Sequence, residues 1–148
     1  MDLILWRHAE AEDSTPDHAR ELTAKGSKQA DKIASFLRTH LPDDPRILVS
    51  PTARTQQTAA ALTKHFTLAP TIAPGATAQD VLHAARWPIA GGTVLVVGHQ
   101  PTLGTVAAQL LGCGEFSLSI KKGALWWFSR REGSDQTALK LVIGPDFL

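Results

Sequence analysis

Short apolar runs of strand length alternate with longer stretches of helical periodicity from Leu3 to Gly112, and this alternation narrows what the chain can fold into more than any other feature. A strand, a crossover helix and a second strand produce parallel pairing. The pattern therefore predicts an α/β fold, a three-layer α/β/α sandwich around a mostly parallel central sheet. Leu3–Trp6 reads as the first strand, followed by a polar stretch from His8 to Arg20 and a helix capped by Thr23 that runs to about His40, with Ala30, Ile33, Ala34 and Leu37 on one face. Arg46–Val49 reads as a second strand closed by Ser50-Pro51, and Thr55–Phe66 as a helix with Ala59, Leu62 and Phe66 inward. A further strand is expected at Thr71-Ile72-Ala73 and a helix over Ala78–Trp87. Gly91-Gly92 then turns into the most strand-like run of all, Thr93–Val97, before Gly98-His99-Gln100-Pro101 opens a helix that ends near Gly112.

Beyond that point the character changes. Ala124–Ser129 and Ala138–Ile143 are β-rich runs joined by the turn formers Glu132-Gly133-Ser134-Asp135, which predicts a C-terminal β-hairpin at one side of the sheet. Trp126, Trp127 and Phe128 are adjacent on a strand and so point alternately to its two faces; packing is expected of them rather than a shared ligand platform. No repeat or low-complexity tract divides the 148 residues, so residues 1–148 are read as a single domain.

Fifteen basic residues stand against fourteen acidic ones, and no basic run is longer than a pair such as Lys121-Lys122. Neither a nucleic-acid partner nor a membrane surface is expected from such a balance. The single cysteine, Cys113, rules out an internal disulfide and is expected to be a small core or loop thiol. No apolar segment approaches the ~20 residues of a spanning helix, and the N-terminus has no signal-peptide pattern. A cytoplasmic location is expected.

Three segments place basic and imidazole groups directly after strands, where the crevice of an α/β sheet holds its ligand. They are Arg7-His8, Arg54 and His99. Each is weak alone, but together they form a set suited to a phosphoryl group, because guanidinium forks match phosphate oxygens and helix N-termini favour the same anion. The set needs no metal or other cofactor. A metal hydrolase is disfavoured, since the histidines lack close ligand spacing and the arginines would repel a cation.

Arg7-His8, Ser50-Pro51-x-x-Arg54-Thr55-x-Gln57-Thr58 and Gly98-His99 resemble the histidine phosphatase superfamily in its phosphoglycerate-mutase-like branch, over Asp2 to about Leu111. The short length, Leu22-Thr23-x-x-Gly26 and His99-x-Pro101 are most similar to the SixA-type phosphohistidine phosphatases. Two departures stand out. Many members read Arg-His-Gly where this chain has Ala9, which adds only a methyl group unless φ must be positive. Members acting on phosphate monoesters also carry a mid-chain acidic residue as general acid, whereas Pro74–His83 offers only Asp80, expected on a helix surface.

The resemblance implies that neutral His8 attacks phosphorus to give a covalent phosphohistidine that water cleaves, with its other nitrogen oriented by a backbone carbonyl or similar acceptor. It implies that Arg7, Arg54 and His99 hold the phosphoryl oxygens and that Arg20 recognises substrate at the rim. Protonated imidazole leaves easily, so the missing acid favours a phosphohistidine-bearing protein as partner. Glu10 and Glu12 are the remaining candidates for protonating the leaving group. Thr55 and Thr58 are open between supporting Arg54 and local capping, and His18, His40, His65 and His83 are expected to be solvated. Alternatives are a small-molecule phosphomonoesterase on the same fold and a non-catalytic phosphate or phosphoprotein binder, the latter leaving His8 without a purpose. A mutase would need insertions this length does not hold. Short loops predict an open groove unless Asp13–Glu21 and Pro74–Thr77 close over it.

Overall fold

The computed structural model describes residues 1–148. Ten elements occur in the order β1 (Asp2–Arg7), α1 (Ala24–His40), β2 (Arg46–Val49), α2 (Ala53–Ala60), β3 (Thr67–Leu68), α3 (Ala78–Ala85), β4 (Thr93–Gly98), α4 (Thr102–Leu110), β5 (Leu125–Ser129) and β6 (Ala138–Ile143). Six strands form one sheet in the order β3-β2-β4-β1-β5-β6. The first four are parallel, β5 runs antiparallel to β1, and β6 antiparallel to β5. This is the expected sandwich with its C-terminal hairpin.

Strands β1 and β4 are apolar without alternation because both faces of the sheet are covered. Leu3, Leu5, Val94 and Val96 point into a core shared with Val81 of α3 and Leu103, Val106 and Ala107 of α4. Ile4, Trp6, Leu95 and Val97 point the other way, onto Ile33, Ala34 and Leu37 of α1 and Ala59 of α2. The adjacent aromatics of β5 divide as predicted, Trp127 with the second core and Trp126 and Phe128 with the first.

Connectivity sets where the strand ends open. From β1 the chain crosses over β4 to reach β2, whereas from β4 it crosses over β1 to reach β5, and the two connecting helices lie on opposite faces. The carboxyl ends of β1 and β4 are therefore a topological switch point, where α/β sheets leave a crevice.

Two elements differ from expectation. The third strand is Thr67–Leu68, not Thr71–Ala73: Leu48 and Val49 pair with Thr67 and Leu68, and Pro70 then starts a 3₁₀ turn over Pro70–Ile72. Proline fixes φ and has no N–H for a ladder, so the chain curls at the point where the apolar pattern alone predicts extension. Helix α2 starts earlier and ends sooner than Thr55–Phe66. Thr52 caps it, and the backbone tightens through i−3 bonds from Ala61 and Leu62 so that Phe66 can lead into the edge strand.

The start of α1 is locked to the loop after β1. Thr23 accepts a hydrogen bond from the Gly26 N–H at 2.9 Å, its own N–H donates to the Glu10 carbonyl, and its hydroxyl donates to the Glu10 carboxylate. Gly26 lies so close that a Cβ there would stand 1.9 Å from the Glu10 carbonyl oxygen. Gly26→Ala is expected to cost about 2 kcal/mol or more by overpacking, read as a lowered melting temperature. An unchanged melting temperature would show that the loop yields freely.

Candidate active site

Parallel pairing places Arg7 opposite Gly98, so the next residues of each strand, His8 and His99, emerge side by side. The His8 N–H donates to the Gly98 carbonyl at 3.1 Å and the two rings lie 5.4 Å apart, centroid to centroid. Strand β2 adds Ser50, whose N–H donates to the Val97 carbonyl, and α2 carries Arg54 in its first turn. His8, Arg54 and His99 are 7%, 4% and 5% exposed, which makes this a recess in the sheet end rather than an open surface.

Each imidazole has a defined tautomer. His8 Nδ1 lies 2.8 Å from the Ala9 carbonyl oxygen, which can only accept, so Nδ1 carries the proton and Nε2 keeps its lone pair. His99 has the opposite arrangement: Arg54 Nη2 donates toward Nδ1 at 3.5 Å, leaving Nε2–H to donate to Ser50 Oγ at 2.7 Å. Burial holds His8 down to about 4, with the charges of Arg54, Arg7 and Arg20 acting in the same sense and the Ala9 hydrogen bond opposing them. Burial likewise holds His99 down to about 3, helped by His8, Arg54 and Arg7 and opposed by Asp17. Both rings are neutral at pH 7.

The arginines leave donors free for a ligand. Arg7 Nη1 donates to the Ile120 carbonyl at 2.8 Å; Arg54 Nη1 donates to the Asp17 carbonyl at 2.8 Å, and its Nη2 meets the Asp17 carboxylate at 3.2 Å. The Nε–H of each guanidinium is buried without a partner. A buried, unsatisfied, charge-bearing donor is costly unless an anion completes it.

Arg20 stands at the rim, with Nε donating to the Glu12 carbonyl and Nη1 to the Asp17 carboxylate. Thr58 supports the Arg54 turn, its hydroxyl donating to the Arg54 carbonyl at 2.8 Å, and it also accepts from the Ala9 N–H at 3.1 Å, a long-range contact rather than a cap. Ala9 has no positive φ, so the methyl group there costs nothing in backbone strain. Glu10 is turned to Thr23, Glu12 is exposed, and Asp80 serves an exposed capping box with Thr77.

The carboxylate that does meet the set is Asp17, which the sequence reading passed over. Desolvation would raise it, but Arg20 and Arg54 together hold it below its ordinary value. Its spacing from Arg20 was the available signal, since i,i+3 partners in a helical turn face one another. Through Asp17 one of the two loops that could close the pocket does reach it. The other is drawn to α4, where Thr102 donates to the Ala76 carbonyl. Ser50 was legible in its motif, though not as the partner of His99.

His8 should therefore titrate far below an ordinary histidine. In an NMR titration of the imidazole resonances we expect His8 unchanged from pH 8 to about 5, and a midpoint between 6 and 7 would contradict the buried, cation-flanked environment.

A fold whose strand ends gather two guanidinium groups and two neutral imidazoles around one recess has the lining of a phosphoryl-group site in an α/β protein. The chain belongs to the histidine phosphatase superfamily (branch 1), whose family model matches residues 3–77. It is 34% identical over 128 residues to the phosphohistidine phosphatase SixA homolog of Haemophilus influenzae, covering 76% of this chain and 78% of that protein. Among solved structures, a protein from Nakamurella multipartita described as a phosphohistidine phosphatase SixA superposes with a TM-score of 0.78 at 30% identity, over 97% of this chain and 95% of the other. The protein histidine phosphatase SixA complexed with tungstate shares the fold with a TM-score of 0.84 at 24% identity, over 99% of each chain. The family and fold expected from the motifs are borne out.

Proposed function

We propose that this protein is a phosphohydrolase that removes phosphoryl groups from phosphohistidine in another protein, with His8 as nucleophile and residues 1–148 acting as one cytoplasmic domain. The carrying observation is the His8 ring: buried and neutral, with Nδ1 held by a carbonyl and Nε2 free, beside guanidinium donors that lack partners. In the first step His8 Nε2 forms a bond to phosphorus while the P–N bond of the substrate breaks, and the protonated leaving imidazole departs neutral. In the second, water attacks phosphorus, the His8 P–N bond breaks, and inorganic phosphate is released. Arg7 and Arg54 hold the non-bridging oxygens, where phosphoryl transfer concentrates charge, and His99 joins them by turning its Nε2–H from Ser50 to the phosphate. Arg20 contacts substrate from the rim. Tungstate in the related SixA is a tetrahedral oxyanion of the kind such a pocket takes.

The carboxylates favour an N–P over an O–P substrate. Glu10, Glu12 and Asp80 all have other surroundings, and Asp17 is ionised against two arginines, so no poised acid serves an alkoxide leaving group. The decisive experiment compares a phosphotransfer protein carrying ³²P-phosphohistidine with an aryl phosphate as substrates, and traps the enzyme by rapid quench. Preference for the first, with acid-labile, alkali-stable label on the enzyme, supports the proposal. Preference for the aryl phosphate would transfer the protein to the monoesterases, and turnover of neither would leave a binding module.

A further inference from the structure

Beside the recess lies a groove of about 950 Å³ between the start of α1, the segment Ser119–Ala124 and the C-terminal turn Pro145–Phe147. Arg7, the neighbour of His8 in the chain, lines it and is the residue it shares with the recess. Lys25, Lys121 and Lys122 project from its walls and are exposed, Trp126 is half-buried along it, and Phe147 is 84% exposed at its end. Of its two acids, the Glu10 carboxylate is taken up by Thr23, leaving Asp146 against the lysines.

Apart from Arg7, none of its lining residues takes part in the chemistry of the recess. The reacting groups are under a tenth exposed, so a phosphohistidine side chain reaches His8 only if the backbone that carries it lies along the rim. On the Arg7 side that rim is the groove. Resting on the function proposed above, we infer that this groove docks the polypeptide flanking the phosphohistidine, and that the flanking segment is acidic with an apolar residue placed against Trp126 and Phe147. Lys25 on one wall and Lys121 and Lys122 on another select for carboxylates mainly through encounter and register, and Trp126 and Phe147 supply the area that desolvates. A small phosphorylated metabolite would touch neither.

The test uses the triple variant Lys25→Glu/Lys121→Glu/Lys122→Glu and, separately, Phe147→Ala, with an acidic phosphotransfer protein carrying phosphohistidine and with free phosphohistidine as substrates. For the triple variant we expect KM for the protein substrate to rise about tenfold or more with kcat little changed, a weaker dependence of kcat/KM on salt, and turnover of free phosphohistidine as in wild type. Phe147→Ala should raise KM for the protein alone. Equal losses on both substrates, or no loss on the protein, would overturn the inference. If wild type processes free phosphohistidine as efficiently as the protein, the groove fails while the His8 chemistry stands; if wild type processes neither, the underlying function fails as well.

Discussion

His8→Ala is expected to lower kcat by about 10⁴-fold or more on every substrate and to abolish the acid-labile label on the enzyme. The variant keeps Arg7, Arg54 and His99, so it should still bind tungstate or phosphate, and a loss confined to kcat would separate the nucleophile from the binding groups. Folding should survive, because His8 belongs to neither of the two apolar cores that hold the sheet. That same removal changes the pH dependence of stability. In wild type the unfolded chain takes up protons near the ordinary histidine value of ~6.5, while folded His8 does so only near 4, so stability is lost as pH falls through that window and is steady above about pH 7. The variant should show a shallower loss there, with His99 supplying the remainder. Retention of turnover in His8→Ala would remove the imidazole from the mechanism.

Arg54→Met is expected to reduce kcat/KM by about 10³-fold, and to do so without destabilising the fold. The guanidinium is 4% exposed, its Nε has no partner, and its counter-charge is an Asp17 carboxylate whose side chain is 58% exposed. Such an ion pair returns little of the desolvation it costs, so an apolar side chain of similar volume should hold the melting temperature or raise it by a few degrees. Arg54→Lys should also lose about 10²-fold, since an ammonium group cannot reproduce the planar fork. A variant with full activity, or one whose activity falls only in proportion to its unfolding, would contradict the assignment of Arg54 to the transferring phosphoryl group.

What could be read in advance follows from how local each feature is. The parallel core was legible because the centres of β1 and β4 are unbroken apolar runs and Thr23 carries a cap signature. The edge strand was not: Thr67 and Leu68 are both exposed and too few to show a pattern, whereas the β-branched Thr71 and Ile72 gave a false strand that Pro70 forbids. In the recess, His8, Arg54 and His99 could be found because each sits next to a strand exit along the chain. Asp17 could be tied in advance only to Arg20, its i,i+3 neighbour, since its meeting with Arg54 spans 37 positions and depends on how a loop without periodicity settles on α2. The hydrogen bond between Ser50 and His99 spans 49 and needs the register of β2 against β4.

The hydroxyl of Thr58 sits between two parts of the chain that must cooperate. One of its hydrogen bonds ends on the turn bearing Arg54 and the other on the residue after His8. Displacement of α2 should therefore be passed to the loop that carries the imidazole, so that the two are expected to move together. Their separation should fluctuate less than either position does, which keeps an attacking nitrogen aligned with a tetrahedral phosphorus even when the sheet end as a whole is breathing. Thr58→Val would keep the shape and break that linkage, leaving two well-ordered groups whose motions no longer agree.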